Sequence, residues 1–372
     1  MKKILLTGYY GFQNLGDDLL FICNYRLLER MYPDSTIDIF TESPNPSYLE
    51  NLVGKKLQYL NSSSSGDYDI IWHGGGGVFF DFKEGDRKSL LLNHFIRWIG
   101  PRRFTKIYQW LKRKADKPVI TFRQRIGMGI GVGTFTRSSV KFRSKIQQLS
   151  TFSYLIVRDE ESKRNALRVC PSLKIEVASD IVFDTDLWMP VQQAVVKTEA
   201  KGNIGIVLRD WSMSSGYNYF QDVFLAAKQL KTDGYQVNFF SFDGNTDKRY
   251  IEFFELRGEK VNVWHPQTTT LSDYLQQLKM QSVIITSRFH GAVVGACLGI
   301  PGVCLNIEPK LKSAIEMLGE VYSLVDIPLE GNELISISTS ENIAVSAVLC
   351  SDAVVQNKQI LERSYSFLNR SN

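Results

Sequence analysis

Ile4-Leu5-Leu6-Thr7-Gly8-Tyr9-Tyr10-Gly11-Phe12-Gln13-Asn14-Leu15-Gly16-Asp17 runs an aliphatic triplet into a glycine-bearing loop and then into a helical stretch. The same order occurs twice more. Ile70-Ile71-Trp72 precedes His73-Gly74-Gly75-Gly76-Gly77, and Val283-Ile284-Ile285 precedes Ser287-Arg288-Phe289-His290-Gly291. Each apolar run reads as a parallel strand buried on both faces. In open α/β sheets, ligands bind where loops leave the carboxyl ends of the strands. Two of these loops offer backbone N–H groups, and the third presents an Arg and a His just before a helix. Together they describe an enzyme site for an anionic substrate.

Short apolar strands alternate with longer helical stretches outward from these loops, the pattern of parallel sheets wound on both faces. Further strands are predicted near 37–40, 118–122, 154–158 and 174–178, and a helix over Asp17–Met31, with Asp17 and Asp18 at its N-terminus and Pro33 beyond its end. Leu187–Gly202 holds Pro190 and no period, and reads as a linker. A second unit follows, with strands at 203–208, 236–242, 261–264, 282–286 and 302–306. The fold class is thus α/β, with two Rossmann-like parallel-sheet domains, residues 1–187 and 203–335, facing a cleft, and a helix over 341–369.

A chain of 372 residues suits two cores better than one. Its 44% hydrophobic and 22% charged residues are those of a soluble globular protein. Cys23, Cys170, Cys297, Cys304 and Cys350 are scattered, without a CxxC, which argues against a disulfide framework and a zinc site and for a reducing cytoplasm. No metal is predicted. Met1-Lys2-Lys3 leads into a first strand rather than a signal peptide. No run approaches the roughly 18 apolar residues of a spanning helix. His94–Lys114 is different: Arg97, Arg102, Arg103, Lys106, Lys112, Arg113 and Lys114 alternate with Phe95, Trp98, Phe104, Tyr108 and Trp110, and no acidic residue intervenes. That composition suits the headgroup layer of an anionic membrane surface. The alternative is that its apolar residues complete the first core. No nucleic-acid motif accompanies it, and no nucleic-acid partner is expected.

The loops at Asn14-Leu15-Gly16-Asp17, Gly74–Gly77 and Arg288-Phe289-His290 stand in order with five further elements. These are Gly127-Met128-Gly129-Ile130-Gly131, Val157-Arg158-Asp159-Glu160-Glu161-Ser162, Ala178-Ser179-Asp180, Gly205-Ile206-Val207-Leu208-Arg209 and Glu308-Pro309-Lys310. The series resembles the polysaccharide pyruvyl transferase family. It departs at Gly16-Asp17-Asp18, where the family usually has Gly-Asp-Glu, and at Gly131-Val132, where proline is common. The resemblance implies a GT-B-like pair of domains, with the C-terminal helix returning to the first. It also implies transfer of pyruvate from phosphoenolpyruvate to a sugar of a surface polysaccharide precursor, forming a ketal and releasing phosphate. Phosphoenolpyruvate is then the donor substrate and no cofactor is needed. A glycan acceptor on a polyprenyl diphosphate would place the enzyme in the cytoplasm, peripheral to the inner face of the plasma membrane.

Carried onto this chain, the resemblance makes His290 the catalytic acid–base and Arg158, Arg209, Arg288 and Lys310 the donor-binding residues. Arginine forks match carboxylate and phosphate oxygens in pairs, and histidine exchanges protons near neutral pH. Acceptor binding falls to Asn14, Asp17, Gly75 and Gly76. Asp17 has a rival role as a helix cap, and the glycines as a tight turn. A nucleotide-sugar glycosyltransferase is the main competing activity on the same fold; a non-catalytic binding subunit is the other.

Overall fold

A computed structural model describes residues 1–79, 119–133, 140–189, 202–211, 219–329, 332–339 and 342–370. The basic stretch 94–114 lies outside the described residues, as does 190–201 of the expected linker. The first sheet comprises β1 (Lys3–Thr7), β2 (Thr36–Phe40), β3 (Gln58–Leu60), β4 (Gly66–Phe79), β5 (Ile120–Val132), β6 (Tyr154–Val157) and β7 (Ile175–Val177). The second comprises β8 (Asn203–Val207), β9 (Gln236–Ser241), β10 (Val261–Val263), β11 (Val283–Thr286), β12 (Gly302–Leu305) and β13 (Tyr322–Val325). Among the described residues both sheets are wholly parallel, in the orders β3-β2-β1-β4-β5-β6-β7 and β10-β9-β8-β11-β12-β13.

Helices in the first unit are α1 (Leu15–Met31), α2 (Tyr48–Val53), α3 (Val140–Leu149) and α4 (Glu160–Val169). The second has α5 (Phe220–Thr232), α6 (Lys248–Glu255), α7 (Leu271–Lys279), α8 (Phe289–Cys297), α9 (Lys310–Leu318) and α10 (Glu333–Ser338), and α11 (Asn342–Arg370) ends the chain. On α11, Asn357 accepts from Ser179 Oγ at 2.6 Å and donates to Met317 O at 2.8 Å, so the helix touches both units. Strand order reverses between β1 and β4 and again between β8 and β11. Such switch points open the crevices that bind ligands.

The sequence does not announce β3 and β13, which are edge strands of three and four residues with polar positions among the apolar ones. Gly74–Gly77 is a correction of another kind. These residues do not form a loop after the strand; β4 carries on through them to Phe79, and Gly74–Gly77 pair with Met128–Gly131 of β5. Gly75 and Gly76, at φ 63° and 80°, and Gly129, at 66°, bend the pair in the left-handed region without ending it. Space matters as well. A Cβ on Gly74 would stand 2.3 Å from Tyr10 Oη, and one on Gly75 2.6 Å from Leu20 Cδ2, so the strand presses directly onto α1.

The two units meet through the loop that begins α1. Leu15 N donates to Phe242 O at 2.9 Å, and Asn14 Nδ2 to Asp243 Oδ2 at 3.1 Å. Asp18, 1% exposed, takes the Tyr48 hydroxyl on Oδ1 at 2.7 Å and the Trp264 indole N–H on Oδ2 at 2.8 Å. Burial pushes its carboxyl up to about 7, against the opposing pull of those two hydrogen bonds. Trp264→Phe keeps most of the ring but leaves Asp18 Oδ2 buried without its donor. It should lower stability by about 1–3 kcal/mol in chemical denaturation. A change within about 0.5 kcal/mol, the usual range of neutral substitutions, would mean this contact does not hold the units together.

Candidate active site

Both switch points deliver their loops to one place. A small pocket of about 90 Å³ is lined by Asn14, Asp17, Gly76 and Arg158 from the first unit and Arg209, Arg288, Phe289, His290 and Lys310 from the second. Gly75 lines the wider cleft above it, beside Tyr9, Trp211 and Glu308. The structure therefore gathers the sequence-predicted site residues around a single cleft shared by the domains.

Chain order explains each position. Arg158 follows β6 directly, and its backbone N–H reaches Ile130 O on β5 at 3.3 Å. Arg209 lies just past β8, where Ser287 Oγ accepts its N–H at 2.8 Å. Arg288 is the N-cap residue of α8, and Lys310 opens α9. The first turn of α8 lines the pocket, and helix N-termini favour anions through unpaired amides and dipole.

Every cation also has a carboxylate. Arg158 Nε lies 3.2 Å from Asp159 Oδ2, and its guanidinium packs 4.4 Å from the centre of the Phe289 ring. Asp159 uses its other oxygen to cap α4, accepting Ser162 N–H at 2.6 Å. Arg288 donates to Asp247, a wholly buried residue, and to Leu208 O at 3.2 Å. Arg209 Nη1 and Lys310 Nζ each stand 3.0 Å from Glu308 Oε1, and Arg209 stacks 4.3 Å from the Trp211 ring centre. Two cations on one carboxylate leave a net positive corner. Burial there pulls the Lys310 ammonium down to about 8, although the Glu308 charge opposes it.

On the first unit, the cap of α1 is Asn14 rather than Asp17. Asn14 Oδ1 accepts Gly16 N–H at 3.0 Å and Asp17 N–H at 3.4 Å. With its amide nitrogen on Asp243, Asn14 has both polar atoms engaged within the protein. Asp17 is left facing the pocket. Burial raises its carboxyl to about 6, with His290 and Lys310 pulling the other way. His73, near the cleft, pairs through Nδ1 with Thr7 Oγ1 at 2.7 Å, and burial lowers it to about 3, so it stays neutral.

His290 carries a contact that its loop sequence does not reveal. Its Nε2 lies 3.5 Å from Asp180 Oδ2, across the domain boundary. A Cβ on Gly16 would stand 2.3 Å from His290 Nδ1, so glycine at 16 is required by this approach and not by backbone twist. Asp180, Asp243, Asp247 and Trp264 had no role assigned from sequence. Asp243 and Asp247 sit in a Gly/Asn-bearing turn after β9, a signal of a loop but not of its partners.

A family model described as polysaccharide pyruvyl transferase matches residues 14–309, and the chain belongs to that family. No curated protein matches it significantly. Among solved structures, it is similar to S. aureus MnaA bound to UDP, at 9% identity over 99% of this chain and 97% of that one, with a TM-score of 0.58. It is similar to Anabaena HepE in complex with UDP-glucose, at 12% identity over 100% of both chains and TM-score 0.57. The Methanocaldococcus jannaschii UDP-GlcNAc 2-epimerase with UDP-GlcNAc and UDP matches at 14% identity over 94% and 92%, with a TM-score of 0.53. At these identities the likeness concerns the fold, which is GT-B-like.

The charge of the Arg209–Glu308–Lys310 corner depends on pH through Lys310. Affinity for a phosphate-bearing ligand should hold below about pH 8 and fall above it, as Lys310 loses its proton. Glu308→Gln removes the charge that helps keep that proton, so the decline should begin at lower pH. Calorimetric titration between pH 6 and 10 checks both; a flat profile in the wild type would contradict the assignment.

Proposed function

From membership of the polysaccharide pyruvyl transferase family, we propose that this chain transfers pyruvate from phosphoenolpyruvate to two hydroxyls of a glycan, forming a pyruvate ketal and releasing phosphate. The observation that carries this reading is the convergence of Arg158, Arg209, Arg288, Lys310 and the α8 N-terminus on the pocket that His290 also lines. Phosphoenolpyruvate has a phosphate and a carboxylate close together, and such a donor needs several fixed cations in one small space. Each cation is already held by a carboxylate, so the pocket is ordered before the donor arrives, and little reorganisation remains to be done.

In the proposed reaction, a proton adds to C3 of the enol and C2 becomes electrophilic. One sugar hydroxyl attacks C2, giving up its proton. The C2–O bond to phosphate then breaks, and the second hydroxyl closes the ketal while phosphate carries away the remaining proton. The arginines and Lys310 hold the carboxylate and steady the departing phosphate. His290 exchanges the protons at C3 and at the attacking oxygen. Asp17, with Gly76 beside it (a Cβ on Gly76 would lie 3.6 Å from Asp17 Oδ1), accepts a hydrogen bond from the glycan. We assign the acceptor to a polyprenyl-linked precursor and the protein to the inner face of the membrane. The basic and aromatic composition of 94–114 supports that surface location. No helix among the described residues is long and apolar enough to cross a membrane.

Purified protein, phosphoenolpyruvate and lipid-linked glycans should yield a pyruvylated product by mass spectrometry, with phosphate released in step. His290→Ala should lower turnover about 10²–10⁴-fold, the range for loss of a general acid–base. Acceptor KM should rise below about pH 6 as Asp17 takes up its proton, and Asp17→Asn should abolish that limb. Stabilisation by a UDP-sugar and not by phosphoenolpyruvate, with no ketal formed, would favour a glycosyltransferase. Donor binding without phosphate release would favour a binding subunit.

A further inference from the structure

We propose that Asp180 is the positioning residue for His290, forming with it a carboxylate–imidazole dyad assembled from the two domains; this rests on the transfer reading above for its role in turnover. Asp180 is fully buried in the segment after β7, whereas His290 stands on the first turn of α8. Asp180 Oδ2 and His290 Nε2 are 3.5 Å apart, and each is a buried atom with no other hydrogen-bond partner among the described residues. A pair of orphaned polar atoms facing each other is costly unless a proton lies between them. A separation of 3.5 Å is at the long limit for such a bond, and catalytic hydrogen bonds commonly tighten when substrate binds.

The carboxylate is not free to turn elsewhere. Its Oδ1 accepts Val182 N–H at 3.1 Å, and the neighbouring Ser179 Oγ donates to Asn357 on α11 at 2.6 Å. On the imidazole side, the Phe289 ring meets His290 edge-on at 5.3 Å, and the ring occupies the space that a Cβ on Gly16 would need. Asp180 therefore selects the Nε2–H form of the neutral ring. With Nε2 turned to Asp180, Nδ1 is the nitrogen left for the pocket. In the transfer, the imidazolium gives its Nδ1 proton to C3 and becomes that neutral form, whose bare Nδ1 then takes the proton of the attacking hydroxyl, so His290 ends the cycle as the imidazolium it began as. Asp180 keeps its charge throughout and steadies the imidazolium form. The consequence is specific to a two-domain site: the first domain supplies the carboxylate, and without docking the imidazole loses its orientation.

The test reads the ring directly and needs no substrate. The chain has four histidines, so ¹⁵N-histidine labelling with His290→Gln as reference isolates the His290 signals. Long-range ¹H–¹⁵N correlation should show the Nε2–H tautomer in the wild type; an Nδ1–H ring there would overturn the proposal without any variant of Asp180. In Asp180→Asn the new amide donates to Nε2, and the ring should switch to Nδ1–H. Turnover should then fall by about a hundredfold or more, with KM for phosphoenolpyruvate kept within about threefold, the pattern of an interaction made in the transition state. An unchanged tautomer and unchanged turnover in Asp180→Asn would also overturn it. The expected tautomers in a wild type that forms no ketal would support the dyad and refute pyruvyl transfer instead.

Discussion

Asp18 is a single carboxylate on which two domains rest. It accepts Tyr48 from its own domain on one oxygen and Trp264 from the other domain on the second. Everything at the pocket follows from that docking. The turn holding Asp18 also carries Gly16, whose missing side chain admits His290, and Asn14, whose amide reaches Asp243. At position 18 the family's usual glutamate would have one more methylene to accommodate between these two donors. Aspartate here serves reach toward Trp264 rather than toward a ligand.

A second constraint is electrical. Four cations line one small pocket, and crowding unscreened positive charge there would oppose folding. The structure resolves this by giving Arg158, Arg288 and the Arg209–Lys310 pair their own carboxylates, Asp159, Asp247 and Glu308. Glu308 serves two cations, so the excess positive charge is concentrated at the rim where α9 begins. An anionic donor would complete the balance there without displacing a buried ion pair elsewhere.

Much of this was legible in the chain. Aliphatic runs ending in glycine, or in Arg-Phe-His, mark parallel strands whose carboxyl ends carry function, because sheet topology dictates where their loops go. The order of the motifs then placed Arg158, Arg209, Arg288, His290 and Lys310, which do meet around one cleft. What sequence could not supply were partners distant in the chain. Nothing local to Asp180 says that His290, more than a hundred residues on, lies opposite its Oδ2. From sequence Asp17 reads as a possible cap of α1; the structure gives the cap to Asn14 and leaves Asp17 facing the pocket. The glycines 74–77 read as a turn because local propensity is blind to β5, whose own glycine at 129 lets both strands bend and stay paired.

The proposed transfer requires the pocket to protonate an enol and to trap the resulting electrophile with a sugar. Running the wild-type reaction in D₂O with protiated phosphoenolpyruvate tests this directly. The expected product has a ketal methyl that carries one deuterium, because one solvent-derived proton is added to the donor's CH₂ carbon. A product that keeps the methylene, a methyl without deuterium, or no transfer of the three-carbon unit at all would contradict it.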